Sequence, residues 1–223
     1  MPDNISGLPT KHPLISDQVS KQQVEIILLE LQRVLDGGVD GAIVEFGCYV
    51  GTTSLFIRRL LDSHVKAPLS HKNVRERSFH ATEPKGREFH VYDSFEGLPP
   101  KSIQDASVTG EQFTAGELAV SKKQFLREFQ KAHLQPPVIH KGWFKDLTGA
   151  DVPKKIAFAF LDGDFYESIR DSLRLVLPRT QKGGTIIIDD YAREALPGAA
   201  RAVHEYFSSH QVKTVHNMGV IHL

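Results

Sequence analysis

The residues best equipped for chemistry sit at the ends of apolar runs. The stretch GGTIIIDDY, Gly183–Tyr191, closes three isoleucines on two adjacent carboxylates, Asp189 and Asp190. A continuous Ile run reads as a strand buried on both faces. Two neighbouring carboxylates at its end repel each other unless a cation or water screens them. The run Ile156–Leu161 ends in the same way at Asp162, within FLDGDFYES. If the two strands are neighbours, three carboxylates converge. Such a cluster holds a hard divalent cation, with water and substrate oxygens completing its shell. Mg²⁺ is the first choice for all-oxygen ligands, and Mn²⁺ is compatible. The cation would remove the like-charge penalty and lower the pKa of a bound hydroxyl. The plainer alternative makes Asp189 or Asp190 a cap for the next segment and leaves Asp162 solvated. Asp164, Tyr166 and Glu167 follow Asp162 closely; they could contact substrate or begin a helix, where acids suit the dipole, and the helix start is the reading adopted.

Two further acids end apolar runs. In VEFGCYVGTTS the spacing is Glu45-x-Gly47-x-x-x-Gly51, between a strand and a helix. Glycines let the backbone turn tightly and approach a ligand. The dinucleotide fingerprint G-x-G-x-x-G is not matched, because an acid replaces the first glycine and three residues separate the other two. A carboxylate there repels a pyrophosphate but suits a cationic ligand, such as the sulfonium and amino group of S-adenosylmethionine. An ordinary strand-to-helix turn is the alternative. In FHVYDSFEGLP, Asp93 ends a strand and is placed to accept hydrogen bonds from both hydroxyls of a ribose. It lies 46 residues beyond Gly47 (93 minus 47), whereas nucleotide folds place that acid about 20 residues on; a basic insertion accounts for the excess. A helix cap or turn former is the competing role for Asp93.

The elements that must position these acids follow from periodicity. Val24, Ile27, Leu28, Leu31 and Leu35 recur at helical spacing, and Gly37-Gly38 stops the helix. Ala42–Val44 reads as a strand and 54–61 as a helix. Residues 64–88 are basic, polar and aperiodic, an exposed inserted loop. Phe89–Tyr92 is a strand, and 94–117 a second long loop with the character of a lid. Ser121 and Gln124 form a capping box for a helix running to about His133. Val138–His140 and Ile156–Leu161 are strands, followed by a helix through Leu173 and Leu175 and then the Ile strand. Ala199, Ala202, Val203 and Tyr206 mark a last helix. Val212–Val215 and Val220–Leu223 form a hairpin about Asn217-Met218-Gly219. Strand–helix alternation predicts an α/β fold with a mostly parallel sheet, and ligands of such sheets bind beyond the carboxyl ends of the strands. Glu45, Asp93, Asp162 and Asp189 then share one edge.

Composition excludes rather than selects. The 223 residues make one domain by length, and 27 basic residues balance 27 acidic ones. No basic excess announces nucleic acid or an acidic membrane. A single cysteine, Cys48, offers no internal disulfide and points to a reducing compartment; it reads as a small buried thiol. The first 19 residues are polar, carry three prolines and lack the apolar core of a signal peptide. They read as a surface arm or a homodimer contact. No apolar run reaches the roughly 18–20 residues of a membrane span, so a cytoplasmic location is expected. The 11 histidines form no H-x-x-x-H pair; His140 reads as a satisfied core histidine.

Taken together, VEFGCYVGTTS, VYDSFEGLP, HKGWFKDL, LDGDFYES, GGTIIIDDY and PGAARAVHEYF resemble the macrocin O-methyltransferase family over about residues 20–210. These are class I S-adenosylmethionine-dependent enzymes that methylate sugar hydroxyls of antibiotics. The resemblance implies a Rossmann-like, seven-stranded sheet whose last strand is antiparallel and hairpin-paired. It implies cofactor contacts on the glycine motif (Glu45, Gly47, Tyr49, Gly51, Thr52, Ser54), on Asp93 with Ser94, and on Asp162. The segment Gly142-Trp143-Phe144 would border the adenine, ordinary core packing being the other role for Trp143. It implies Asp162, Asp189 and Asp190 as metal ligands and Asp162 as general base. The related catechol-type enzymes place a Lys near the first acid; here Phe165 stands there, which favours a carboxylate base. The alternatives are a metal-independent or catechol-type methyltransferase, a nucleotide-dependent oxidoreductase, and a non-catalytic module binding a partner through residues 64–88. The glycine spacing speaks against the oxidoreductase, and the three retained acids against the module.

Overall fold

The computed structural model describes residues 7–66, 86–109 and 113–223. In chain order the elements are α1 (Leu8–Lys11), α2 (Lys21–Asp36), β1 (Ala42–Phe46), α3 (Thr52–Lys66), β2 (Phe89–Asp93), α4 (Lys122–Lys131), β3 (Val138–Lys141), β4 (Ile156–Leu161), α5 (Tyr166–Val176), β5 (Thr180–Ile188), α6 (Pro197–Val203), β6 (Lys213–Val215) and β7 (Met218–His222). The strands form one seven-stranded sheet in the order β3-β2-β1-β4-β5-β7-β6. The β1–β2, β1–β4, β2–β3 and β4–β5 pairs are parallel, and β7 runs antiparallel to both β5 and β6. This is the α/β sheet with a terminal hairpin that the alternation and the resemblance predict.

The apolar runs are explained by burial on two faces. Ile43, Phe160 and Ile187 pack with Leu28, Leu31, Phe56 and Phe125 of the α2–α4 layer. Their strand neighbours Val44, Phe46, Leu161, Ile186 and Ile188 pack on the other face with Ile169, Leu173, Ala199 and Val203 of α5 and α6. Alternate residues of one strand thus enter opposite layers, the period of two that a pleated strand imposes. Each fully buried Phe, Ile or Leu contributes roughly 1.5–3 kcal/mol. The capping box expected at Ser121 and Gln124 is present. A second one, which the sequence reading passed over, starts α2: Gln23 N–H donates to Ser20 Oγ while Ser20 N–H donates to Gln23 Oε1.

Several expectations need correction. The arm before residue 20 is not merely a surface strap: Leu8 and Val19 are buried in the core, and Ser16 Oγ lies 2.9 Å from Thr52 Oγ1. The expected insertion at 64–88 starts late, because α3 continues to Lys66; residues 67–85 of that loop lie outside the described residues. Tyr206 does not belong to the last helix, which ends at Val203. His140 is only half-buried on the edge strand β3, stacked on Tyr92 and bonded to His90 across 3.1 Å. No described helix is long and apolar enough to cross a membrane.

Two glycines show what the sheet demands. Gly47 has φ 86°, and a Cβ there would fall on the carbonyl oxygen of Asp162. Gly38 has φ 65° with open space around it. Gly47→Ala is expected to cost more than about 3 kcal/mol, strain and clash together, and Gly38→Ala only about 1 kcal/mol. Urea unfolding of the two variants checks this; equal losses would show that contact with the Asp162 carbonyl does not exclude a side chain at residue 47.

Candidate active site

Strand order reverses between β1 and β4: β2 and β3 lie to one side, β5 and β7 to the other. The crevice beyond the strand ends at such a switch point is where open α/β sheets bind ligands. Here the loop after β1 meets the turns after β4 and β5. A cavity opens at this place, lined by Gly47, Tyr49, Asp93, Asp162, Asp164, Asp189 and Asp190 among others. The backbones are stitched together below it, since Gly47 N–H donates to Tyr92 O and Asp162 N–H to Phe46 O, both at 2.8 Å.

Asp93 organises the glycine loop. Its Oδ2 accepts from the N–H groups of Cys48 (2.8 Å) and Tyr49 (3.3 Å), and its Oδ1 from Phe95 N–H (2.7 Å). The turn-forming role weighed against ribose binding is therefore real. A carboxylate offers about four acceptor sites, and Asp93 still lines the cavity, so the two roles are compatible. Tyr49 takes a left-handed φ of 48° to carry the loop over.

Glu45 corrects its expectation. It is 1% exposed, accepts a 2.5 Å bond from Ser54 Oγ, and is not part of the cavity wall. Burial pushes its carboxyl up to about 8, Asp93's charge adding to this and the Ser54 bond opposing it. It ties β1 to α3 through Ser54. Gly51, Thr52, Ser54 and Gly142 also stay off the wall. The first three belong to the start of α3 and face protein: Gly51 against the Phe125 ring, Thr52 against Ser16, Ser54 against Glu45. Gly142 N–H is spent on Asp93 O. Gly47, Tyr49, Asp93, Ser94, Trp143 and Asp162 do line the cavity, with Phe144 beside them.

The acids converge, with one change of membership. Carboxylate oxygens of Asp162, Asp164 and Asp190 all lie within 4.8 Å of one another. Asp189 lines the same cavity, but its Oδ1 accepts a 3.0 Å bond from Gln23 Nε2. Asp164 is not the start of α5, as expected from sequence; the helix begins at Tyr166. Asp164 and Asp190 have φ of 59° and 53°, left-handed values that Asp tolerates better than most residues. The turns thus bring the acids inward at some cost in strain, a pattern met at functional sites. Desolvation, then the neighbouring carboxylates, raises all of them: Asp162 well above the usual range, Asp164 to about 8, Asp189 to about 7. Asp190 is raised by burial against the pull of Arg193, whose Nη1 donates to Asp190 Oδ1 at 3.1 Å. Among the described residues no hydrogen bond reaches the carboxylates of Asp162 or Asp164. Desolvated, mutually repelling and short of donors, this all-oxygen set fits a hard divalent cation.

Two segments border the crevice. The stems of the 94–117 loop pair through Leu98 N–H to Glu117 O (2.8 Å) and Gly116 N–H to Leu98 O (2.9 Å). Buried Asp105 pins the loop: its Oδ1 accepts from Tyr166 N–H at 2.7 Å and its Oδ2 from Ser102 N–H and O–H. Leu98 of the loop and Leu118 just beyond it pack with Phe165 and Leu196. From the arm, Gln18 reaches the cavity wall. Sequence reasoning missed Gln18, Gln23 and Arg193, and preferred a helix start to a site role for Asp164. The Ser20-x-x-Gln23 box could have flagged Gln23; nothing local marks Gln18 or Arg193.

Comparison with known proteins agrees with this geometry. The sequence pattern of macrocin-O-methyltransferase (TylF) matches residues 13–221. The chain is 34% identical over 181 residues to 8-demethyl-8-(2,3-dimethoxy-alpha-L-rhamnosyl)-tetracenomycin-C 4'-O-methyltransferase of Streptomyces olivaceus, covering 79% of this chain and 61% of that one. It is 30% identical over 189 residues to mycinamicin III 3''-O-methyltransferase of Micromonospora griseorubida, covering 82% and 66%. The chain therefore spans just under two thirds of these relatives' length. The solved structure of the O-methyltransferase NovP superposes with a TM-score of 0.72 at 26% identity, over 92% of this chain and 80% of that one. With the match running from the arm to the final hairpin, the chain belongs to the macrocin-O-methyltransferase family.

Proposed function

We propose that this chain is an S-adenosylmethionine-dependent O-methyltransferase that acts on a sugar hydroxyl of a natural product and uses a divalent cation. The observation that carries the reading is the meeting of the glycine loop and the acid cluster in one cavity at the switch point. The names of the two relatives, one of them a rhamnosyl 4'-O-methyltransferase, support the acceptor class.

S-adenosylmethionine supplies an electrophilic methyl group. A divalent cation, Mg²⁺ or Mn²⁺, lowers the pKa of a hydroxyl it touches; Asp162, Asp164 and Asp190, whose oxygens lie within 4.8 Å of one another, and Asp189 on the same wall would hold it. The chain's own residues do the rest. The backbone at Gly47 and Tyr49 receives the amino-acid end of the cofactor, Asp93 and Ser94 the ribose, and Trp143 with Phe144 the adenine. An Asp162 carboxylate oxygen takes the proton of the acceptor hydroxyl. Asp164 is the second carboxylate in reach. The loop pinned by Asp105 excludes water from the reacting atoms.

Calorimetric titration of S-adenosylhomocysteine tests the cofactor assignment, with micromolar binding expected and no binding in Mg²⁺ or EDTA sinking it. With an acceptor in hand, Asp162→Asn should lower kcat by about 10²–10⁴-fold; full activity with unchanged Mg²⁺ dependence would remove Asp162 from the base role, and Asp164→Asn would then be the variant to assay.

The acid cluster also sets a pH dependence of stability. Asp164, Asp189 and Glu45 titrate higher in the folded chain than in the unfolded one. The folded state therefore binds more protons between about pH 4 and 8, and stability falls as pH rises through that window. Without divalent cations the thermal midpoint should fall from pH 5 through 7, the value for Asp189, to above 8, the value for Asp164 and Glu45. Mg²⁺ should restore much of the loss at high pH. A midpoint that is flat in EDTA, or one indifferent to Mg²⁺ at pH 8.5, would contradict the cation assignment.

A further inference from the structure

Gln23 lies in the first turn of α2, 166 residues from Asp189, yet its side chain joins the two. Both ends of the amide are committed. Oε1 accepts from Ser20 N–H (3.0 Å) and Ser20 O–H (2.8 Å), and Nε2 donates to Asp189 Oδ1 (3.0 Å). A flipped amide would set its NH₂ against a backbone donor and its oxygen against a carboxylate, so the surroundings select one orientation. The turn that carries it is itself anchored. Val19 is buried in the core, Gln18 reaches the cavity, and Ser16 contacts Thr52 at the start of α3. Asp189 is 5% exposed, so its carboxylate has little bulk water to turn toward. The carboxylate lines the cavity, is also bonded by the Asp190 backbone, and stands beside the Asp162, Asp164 and Asp190 oxygens that lie within 4.8 Å of one another.

We propose that Gln23 is a positioning residue for the acid cluster: its capped amide holds Asp189 in one rotamer, on the wall of the cavity that would take a divalent cation. The inference rests on the cation reading above and assigns a task to the start of α2. Hydrogen-bond partners of ligating carboxylates orient them, and losing such a partner typically costs 10–100-fold in metal affinity or activity.

Mn²⁺ titration of the full chain with S-adenosylhomocysteine present, followed by electron paramagnetic resonance, provides the test without an acceptor. Gln23→Met keeps the length of the side chain but removes the donor and the box. Ser20→Ala weakens the box and leaves the amide donor in place. Thermal midpoints of both, taken without metal, report the loss of the cap. The expected result is Mn²⁺ affinity about 10–100-fold weaker in Gln23→Met, with Ser20→Ala close to wild type. Unchanged affinity in Gln23→Met overturns the proposal. An equal fall in both variants also overturns it, because a weakened helix start would then explain the effect. If the wild-type chain binds no Mn²⁺, the cation reading and this inference fall together, an outcome plainly different from binding that ignores residue 23.

Discussion

The site depends on one close approach. Where β1 ends and β4 ends, Gly47 sits so near the Asp162 carbonyl that no side chain fits between them. That contact places the glycine loop, which can receive a ligand through its backbone, directly beside the acids that can hold a cation or accept a proton. Moving the two strand ends apart by the depth of one methyl group would separate the two halves of the site. Positioning two reactants in line is the larger part of what such a site can contribute, so the glycine is a requirement of the chemistry as well as of the turn.

The second constraint is electrostatic. Five aspartates line one cavity, and one arginine, itself half exposed, leans on Asp190. Each additional carboxylate raises the proton affinity of the others. The folded chain carries this stress because large apolar layers on both faces of the sheet hold the strand ends in place. Asp164 and Asp190 combine left-handed backbone with this repulsion.

The loop beside the crevice is tied to α5 at one point. A loop of this length would be costly to order by backbone contacts alone. Here one buried aspartate, Asp105, satisfies the open N–H at the start of α5 and the N–H and O–H of Ser102 at once. The helix beside the acids and the loop above them are therefore one hydrogen-bonded unit, so displacement of either would unsatisfy the other.

The sequence by itself determined the sheet, its parallel character, the terminal hairpin, and the strand ends at Asp93, Asp162 and Asp189. Those features are local: an Ile run, a glycine pair or a capping box carries its own physical reason within a few residues. It could not decide which acids face the cavity. Glu45 and Asp164 show why. Both belong to motifs of the right composition, yet Glu45 turns under the loop to Ser54 of α3, and Asp164 enters the cluster through a left-handed turn that no periodicity announces. Nor could it bring Gln23 or Gln18 to the site. Their places follow from how α2 and the arm dock on the strand ends, and such docking is set by packing between residues far apart in the chain.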